Sequence, residues 1–269
     1  MELSIRSIVH PTDFSDLSFA AFAHALRIAL VAKSNLHLLH VAQEVDEPMA
    51  YPHTRRLLVQ WGLLEETDPP PMIATKLGIG LDYVTLHQQK PIVGILHFLR
   101  THHCDLVVLG THGRDGLDHW LKGSIAETVF DRSAISALFI PRGARGFVDP
   151  VSGDFKLRRV LVPVDRSPVP YRAIEVARDL PHFLTGSNVE TVFLHVIGLG
   201  PRFHDARIPI IFRPGNVVQT ILDTAVEYDV DLICMPTAGH HGILDALRGD
   251  TTERVLRHAP CPLLAIPAV

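Results

Sequence analysis

Several features are scarce in this sequence, and each scarcity narrows what the protein does. No apolar run approaches the roughly 18 residues that read as a bilayer-crossing helix. The most apolar stretch, Phe19 to Ala32, is interrupted by His24 and Arg27. The opening Met1-Glu2-Leu3-Ser4-Ile5-Arg6 has no basic region followed by an apolar one, so no secretory signal is expected. The three cysteines, Cys104, Cys234 and Cys261, are too few for a disulfide framework, and each sits beside an apolar stretch. Free thiols in a reducing compartment follow, hence a cytoplasmic location and no membrane partner. An excess of one charge is missing too, with 25 Lys+Arg against 29 Asp+Glu. That balance excludes a protein working through a large basic surface, so no nucleic acid is expected as a partner. Histidine is abundant, at 17 residues, but His102-His103-Cys104 and His240-His241 lack the spacing of a zinc site. No metal ligand is assigned.

What is present reads as globular. Hydrophobic residues make up 47% and charged residues 20% of 269, a length that suits one large domain or two ordinary ones. The chain is in fact written twice. Ser7-Ile8-Val9-His10-Pro11-Thr12-Asp13 returns as Arg159-Val160-Leu161-Val162-Pro163-Val164-Asp165, an offset of 152. Leu38-Leu39-His40-Val41 returns as Phe193-Leu194-His195-Val196. Asp105-Leu106-Val107-Val108-Leu109 returns as Asp231-Leu232-Ile233-Cys234-Met235, and Ala137–Pro141 as Leu263–Pro267. Four matches in one order indicate duplication.

Each matched block is a short apolar run closed by a breaker, the pattern of a buried strand. Helical patterns lie between them. Ser15 or Asp16 caps one, and Ser167 with Pro168 in the first turn opens its counterpart. Others are expected over Pro91–His103 and Val217–Tyr228. Strands alternating with helices predict parallel βαβ units and an open doubly wound sheet. The first half carries 29 more residues between its second and fourth strands, including an expected helix at His53–Glu66 and the breaker Pro69-Pro70-Pro71. In the second half, Gly198–Arg213 is expected to lose that helix and keep a short strand near Ile208–Phe212. The Gly-, Arg- and Pro-rich segment Arg142–Asp154 reads as an exposed linker. The halves are then domains at 1–145 and 155–269.

The chemical signal begins where the fourth strand ends, at Gly110-Thr111-His112-Gly113, followed after nine residues by Gly123-Ser124. Glycines let a backbone approach an anion without a Cβ clash. Ser124 and Ile125 open the next helix, whose free N–H groups and dipole favour negative charge. This pattern suits nucleotide phosphates. The second half departs from it. Pro236-Thr237-Ala238-Gly239 replaces the first Gly by Pro, and Asp250 stands where the Ser should be. A carboxylate there repels phosphate.

With these motifs, the chain resembles a tandem universal stress protein, two such domains in one polypeptide, over nearly its whole length. Pro11-Thr12-Asp13-Phe14-Ser15, His40-Val41, the glycine motif and the Ile140-Pro141 ending match the ATP-binding branch. The resemblance implies two tandem Rossmann-like domains of the HUP type with strand order 3-2-1-4-5. It implies an adenine-nucleotide site in the first half, holding ATP with or without Mg, and an empty second site. Asp13, with Pro11 and Thr12, would contact the nucleoside, the Val41 backbone the adenine edge, and Gly110, His112, Gly113, Gly123, Ser124 and Ile125 the ribose and phosphates. It also implies pairing through the last strands, around Leu138–Pro141 and Leu263–Pro267, as an intramolecular pseudo-dimer that is free to form a homodimer. The expected role is regulatory, with no catalytic residue assigned and at most slow ATP hydrolysis or autophosphorylation. The alternatives are an ATP-using adenylating enzyme, against which the absence of a glycine pair after the first strand counts, and a nucleotide-free interaction module.

Overall fold

The computed structural model describes residues 4–42, 52–69, 71–111, 135–198, 202–237 and 251–268. In the first half the order is β1 (Ser7–Pro11), α1 (Asp16–Ala32), β2 (Asn35–Ala42), α2 (Pro52–Gln60), α3 (Met72–Leu77), β3 (Gly80–His87), α4 (Pro91–Thr101), β4 (Leu106–Thr111) and β5 (Ser136–Pro141). The second half continues with β6 (Arg159–Pro163), α5 (Tyr171–Thr185), β7 (Glu190–Ile197), β8 (Ile210–Pro214), α6 (Val217–Glu227), β9 (Leu232–Thr237), α7 (Thr251–Leu256) and β10 (Leu263–Pro267).

Local chemistry sets several of these boundaries. The Ser15 hydroxyl accepts from the Ser18 N–H at 3.3 Å and caps α1, and Asn216 caps α6 in the same way. Pro91 occupies the first position of α4, where its missing N–H leaves no bond unmade. The expected opening of α5 at Ser167-Pro168 is corrected: the helix starts at Tyr171. Val169 precedes Pro170, and a residue before proline is pushed out of the helical region, so the turn cannot propagate from Ser167. The expected helix at His53–Glu66 is the shorter α2, and a further helix, α3, follows the proline run.

The ten strands form one sheet in the order β3-β2-β1-β4-β5-β10-β9-β6-β7-β8. Each half thus has the order 3-2-1-4-5. All pairings are parallel except β5 with β10, where Leu138 lies opposite Leu264. Alternate strand residues feed two cores. Ile8, Leu36, Leu38 and Val108 pack with α1 on one face, and Val9, Leu39 and Val107 pack with Ile95 and Phe98 of α4 on the other. Burial on both faces is why the strands read as continuous apolar runs rather than alternating ones.

In the second half, residues 202–209 form no helix, and β8 follows at Ile210. Phe203 and Ile208 are buried there, in the same core as Leu57 and Leu58 of α2. Two side chains from an irregular segment therefore supply the cover that a helix gives in the first half.

The segment after β5 is exposed over much of its length, as its composition implies, but it docks on α1 through a buried pair. Phe147 and Val148 are 1% and 2% exposed. They lie against α1, where His24 Nε2 accepts from both of their backbone N–H groups, at 3.1 and 3.2 Å. A Cβ on Gly146 would come within 2.5 Å of the His24 ring, so only glycine passes. Arg27 Nε and Trp61 Nε1 donate to the Gly153 and Pro150 carbonyls. Arg145 reaches Asp231 at 2.7 Å and ties the strap to the second half. Burying an aromatic ring outweighed the turn-rich composition around it. Phe147→Ala should therefore destabilise the protein by about 3–5 kcal/mol, read as a lowered urea midpoint. A loss below about 1 kcal/mol, the size of an ordinary surface change, would contradict this packing.

Candidate nucleotide site

β1 and β4 are paired only through Ile8↔Leu106 and Val9↔Val107, and then they part. This is the switch point of the first half, because β2 lies on one side of β1 and β5 on the far side of β4. Ligands of open α/β sheets bind in such a crevice, outside the carboxyl ends of the strands.

Parting the strands strips a backbone acceptor of its partner, and a histidine replaces it. His10 Nδ1 donates to the Val108 carbonyl at 2.9 Å. Burial pushes the His10 imidazole down to about 4, against the raising effects of that bond and of Asp13. The ring is therefore neutral, and its Nε2 is an acceptor, 3.2 Å from the Ser18 hydroxyl. Ser18 Oγ in turn lies 2.8 Å from Thr12 Oγ1, which accepts from the Phe14 N–H at 3.1 Å. A continuous polar chain thus runs from β4 to the loop between β1 and α1.

The loop is held from the other side as well. Thr12 N donates to the Leu39 carbonyl, and His40 Nδ1 donates to the Thr12 carbonyl, both at 2.9 Å. Asp13 Oδ1 accepts from the N–H and the hydroxyl of Ser15. Phe14 adopts a left-handed φ of 62° and sets its ring 4.6 Å from that of His40. A hollow of about 60 Å³ lies beneath, lined by Thr12, Phe14, Ser15, Phe19 and Phe22.

The structure brings Pro11, Thr12, Asp13, Val41 and Gly110 together at the carboxyl ends of β1, β2 and β4. Val41 is half-buried, and Gly94 of α4 approaches it so closely that a Cβ there would stand 3.1 Å from its methyls. The Thr111 carbonyl accepts from Arg142 N on the β5 side of the strand. By alternation, the peptide groups of Val108 and Gly110 face β1 and the crevice. The Thr111 hydroxyl is buried with no partner among the described residues. His112, Gly113, Gly123, Ser124 and Ile125 lie outside the described residues.

The second half repeats the frame with different residues at the described part of its crevice. His195 Nδ1 donates to the Val164 carbonyl at 2.9 Å, and Val164 N donates to Leu194 O, the same pair of bonds that His40 and Thr12 make. At the position of His10 stands Val162, and at that of Val108 stands Cys234, whose thiol burial pushes up. Pro236 occupies the place of Gly110, so no N–H faces the gap beside β6. Sequence reasoning assigned no role to His10 or Ser18. The only signal was a lone polar residue inside a buried apolar strand.

A sequence model described as the universal stress protein family matches residues 4–141 and 201–267. The chain belongs to this family. The unmatched stretch 142–200 holds β6, α5 and β7, which the fold places as counterparts of β1, α1 and β2. A universal stress protein of Methanocaldococcus jannaschii is 28% identical over 142 residues, 51% of this chain and 82% of that protein. The crystal structure of a universal stress protein from Archaeoglobus fulgidus matches with a TM-score of 0.68 at 21% identity, covering 99% of this chain and 98% of that one. A putative universal stress protein from Pseudomonas aeruginosa gives 0.63 at 18% identity, covering 98% and 93%. At these identities the two structures speak to the fold, and they span both halves of this universal stress protein.

Its buried imidazoles predict acid sensitivity. His10 and His24 are both held down to about 4 by burial, below the ordinary 6.5. The unfolded chain therefore takes up these protons first. Stability is whole above pH 6.5 and falls as pH drops toward 4, by up to about 3 kcal/mol per imidazole. Chemical denaturation at pH 7.5 and 4.5 reads this loss. His24→Gln, with an amide oxygen to receive the strap N–H groups, should show a shallower slope. An unchanged slope contradicts the assignment.

Proposed function

We propose that the first half of this universal stress protein is an adenine-nucleotide receptor whose ligand is ATP, and that the second half has kept the scaffold and lost the site. The observation that carries the reading is the contrast at one strand position. Gly110 turns its peptide group into the crevice between β1 and β4, whereas Pro236 has no N–H to offer there. The buried Thr111 hydroxyl beside it, with no partner among the described residues, is a polar group that a ligand or its hydration would satisfy.

Asp13 accepts from the nucleoside hydroxyls, from a loop with Pro11 and Thr12 already fixed by His10, Ser18 and His40. The Val41 backbone, at the carboxyl end of β2, reads the adenine edge. Gly110, His112 and Gly113 run along the ribose and the first phosphates. Gly123, Ser124 and Ile125 present a helix N-terminus to the remaining phosphates, and Mg accompanies ATP as its usual counter-ion. Among the described residues no general base is placed against a nucleophile, which favours nucleotide sensing over rapid turnover. The domains run 1–145 and 155–269, and the β5–β10 pairing makes the chain its own pseudo-dimer.

Isothermal titration with ATP should give one site per chain. Asp13→Asn keeps an oxygen for Ser15 but removes the charge, and should weaken ATP roughly tenfold, the size of one charge-assisted hydrogen bond. Two equal sites per chain, or no binding, would overturn the reading.

A further inference from the structure

The seam between the halves is packed differently at its two ends. On one face α1 and α5 flank β5 and β10, and the repeat pairs their residues: Ile28 with Leu180, Leu138 with Leu264, His24 with Val176. At one end Phe147 of the strap fills the space beside His24, with Arg145 on Asp231. At the other end no described residue takes the place of Phe147, and a hollow of about 220 Å³ is lined from Phe147 and Leu232 across the seam to Asp105 and Arg172 at that end. Its walls are Ile28, Leu138, Val176, Leu180 and Leu264, with Phe147 also among its lining residues. It belongs to neither nucleotide crevice.

Two charges line this hollow, and their states differ. Asp105 Oδ2 already accepts from the Arg6 and Ser7 backbone N–H groups, at 2.7 and 3.0 Å, which locks the start of β1. The Arg172 guanidinium makes one long bond, 3.4 Å to the Pro267 carbonyl, and no ion pair among the described residues. A hollow with apolar walls, and at its edge a guanidinium with no ion pair among the described residues, selects a molecule with an apolar body and one anionic head. A Leu/Ile/Phe-lined cavity of about 150 Å³ holds a benzene ring, so this hollow takes a ring or a chain of similar bulk. The planar guanidinium fork matches a carboxylate, which it binds bidentately.

The geometry points to a ligand site for a compact apolar carboxylate, aryl or medium-chain alkyl, with its tail between α1 and α5 and its head on Arg172. A ligand here touches both halves. It binds only their docked arrangement and so stabilises that arrangement by mass action. The site is independent of the nucleotide reading.

Octanoate is the probe, titrated calorimetrically into the full chain beside the neutral 1-octanol. One saturable octanoate site per chain is expected. Arg172→Gln, a change at an exposed side chain, should weaken octanoate roughly tenfold or more and leave octanol unchanged. Val176→Phe, which fills the hollow as Phe147 fills its counterpart, should abolish both. No saturable octanoate binding, or octanoate binding to Arg172→Gln as it does to the parent, would overturn the site. So would a folded Val176→Phe chain that binds octanoate undiminished.

Discussion

One antiparallel pairing, β5 against β10, organises everything else in this molecule. Each half ends in a strand whose outer edge would otherwise present a row of unpaired peptide groups. Pairing the two edges makes one ten-stranded sheet. Because the pairing is antiparallel, the carboxyl ends of the two sets of parallel strands face opposite ways. The two crevices therefore cannot face one another, and each is built from its own half alone. The same geometry sends the chain leaving β5 to the amino-terminal ends of the second half's strands, where Arg145 meets Asp231. The strap that makes this journey docks on α1 and leaves the opposite end of the seam open.

The two copies share one set of bonds and differ in another. Asp105 and Asp231 each receive two successive N–H groups from the start of β1 or β6. His40 and His195 each hold the carbonyl just before the first-strand acid. These bonds fix strand ends and loops, and both copies keep them. His10, Ser18 and Gly110 belong to the parting of β1 from β4, and their counterparts are not equivalent. Val162 and Pro236 fill the positions of His10 and Gly110 with groups that neither donate nor accept through the same atoms. The frame is thus common to both halves, and the polar groups at the crevice are not.

The sequence disclosed what depends on local pattern. Buried runs such as Leu36–Leu39 and Leu232–Met235 announced strands, Ser15 and Pro91 announced helix starts, and the repeat order fixed the topology. It concealed what depends on distant partners. Phe147 sits among glycines and charges, and only the His24 ring, 123 residues away in sequence, makes its burial intelligible. His10 and His24 look alike in a composition count. The first donates to a carbonyl across the switch point, and the second accepts from two strap N–H groups. The start of α5 lies at Tyr171 rather than at the cap signal of Ser167, because Pro170 restricts Val169. Within the candidate site, Pro11, Thr12, Asp13, Val41 and Gly110 are legible as motif positions. The His10–Ser18–Thr12 chain that holds their loop is not, because it closes only in three dimensions.

The central claim is that a single crevice, between β1 and β4, receives the nucleotide. Hydrogen–deuterium exchange with and without ATP reads this directly, amide by amide. ATP should slow exchange in peptides spanning Thr12–Ser15 and those reaching Gly110 and Thr111, and leave peptides spanning Val164–Ser167 and Cys234–Thr237 unchanged. Equal protection in both halves, or none in the first, would contradict the account.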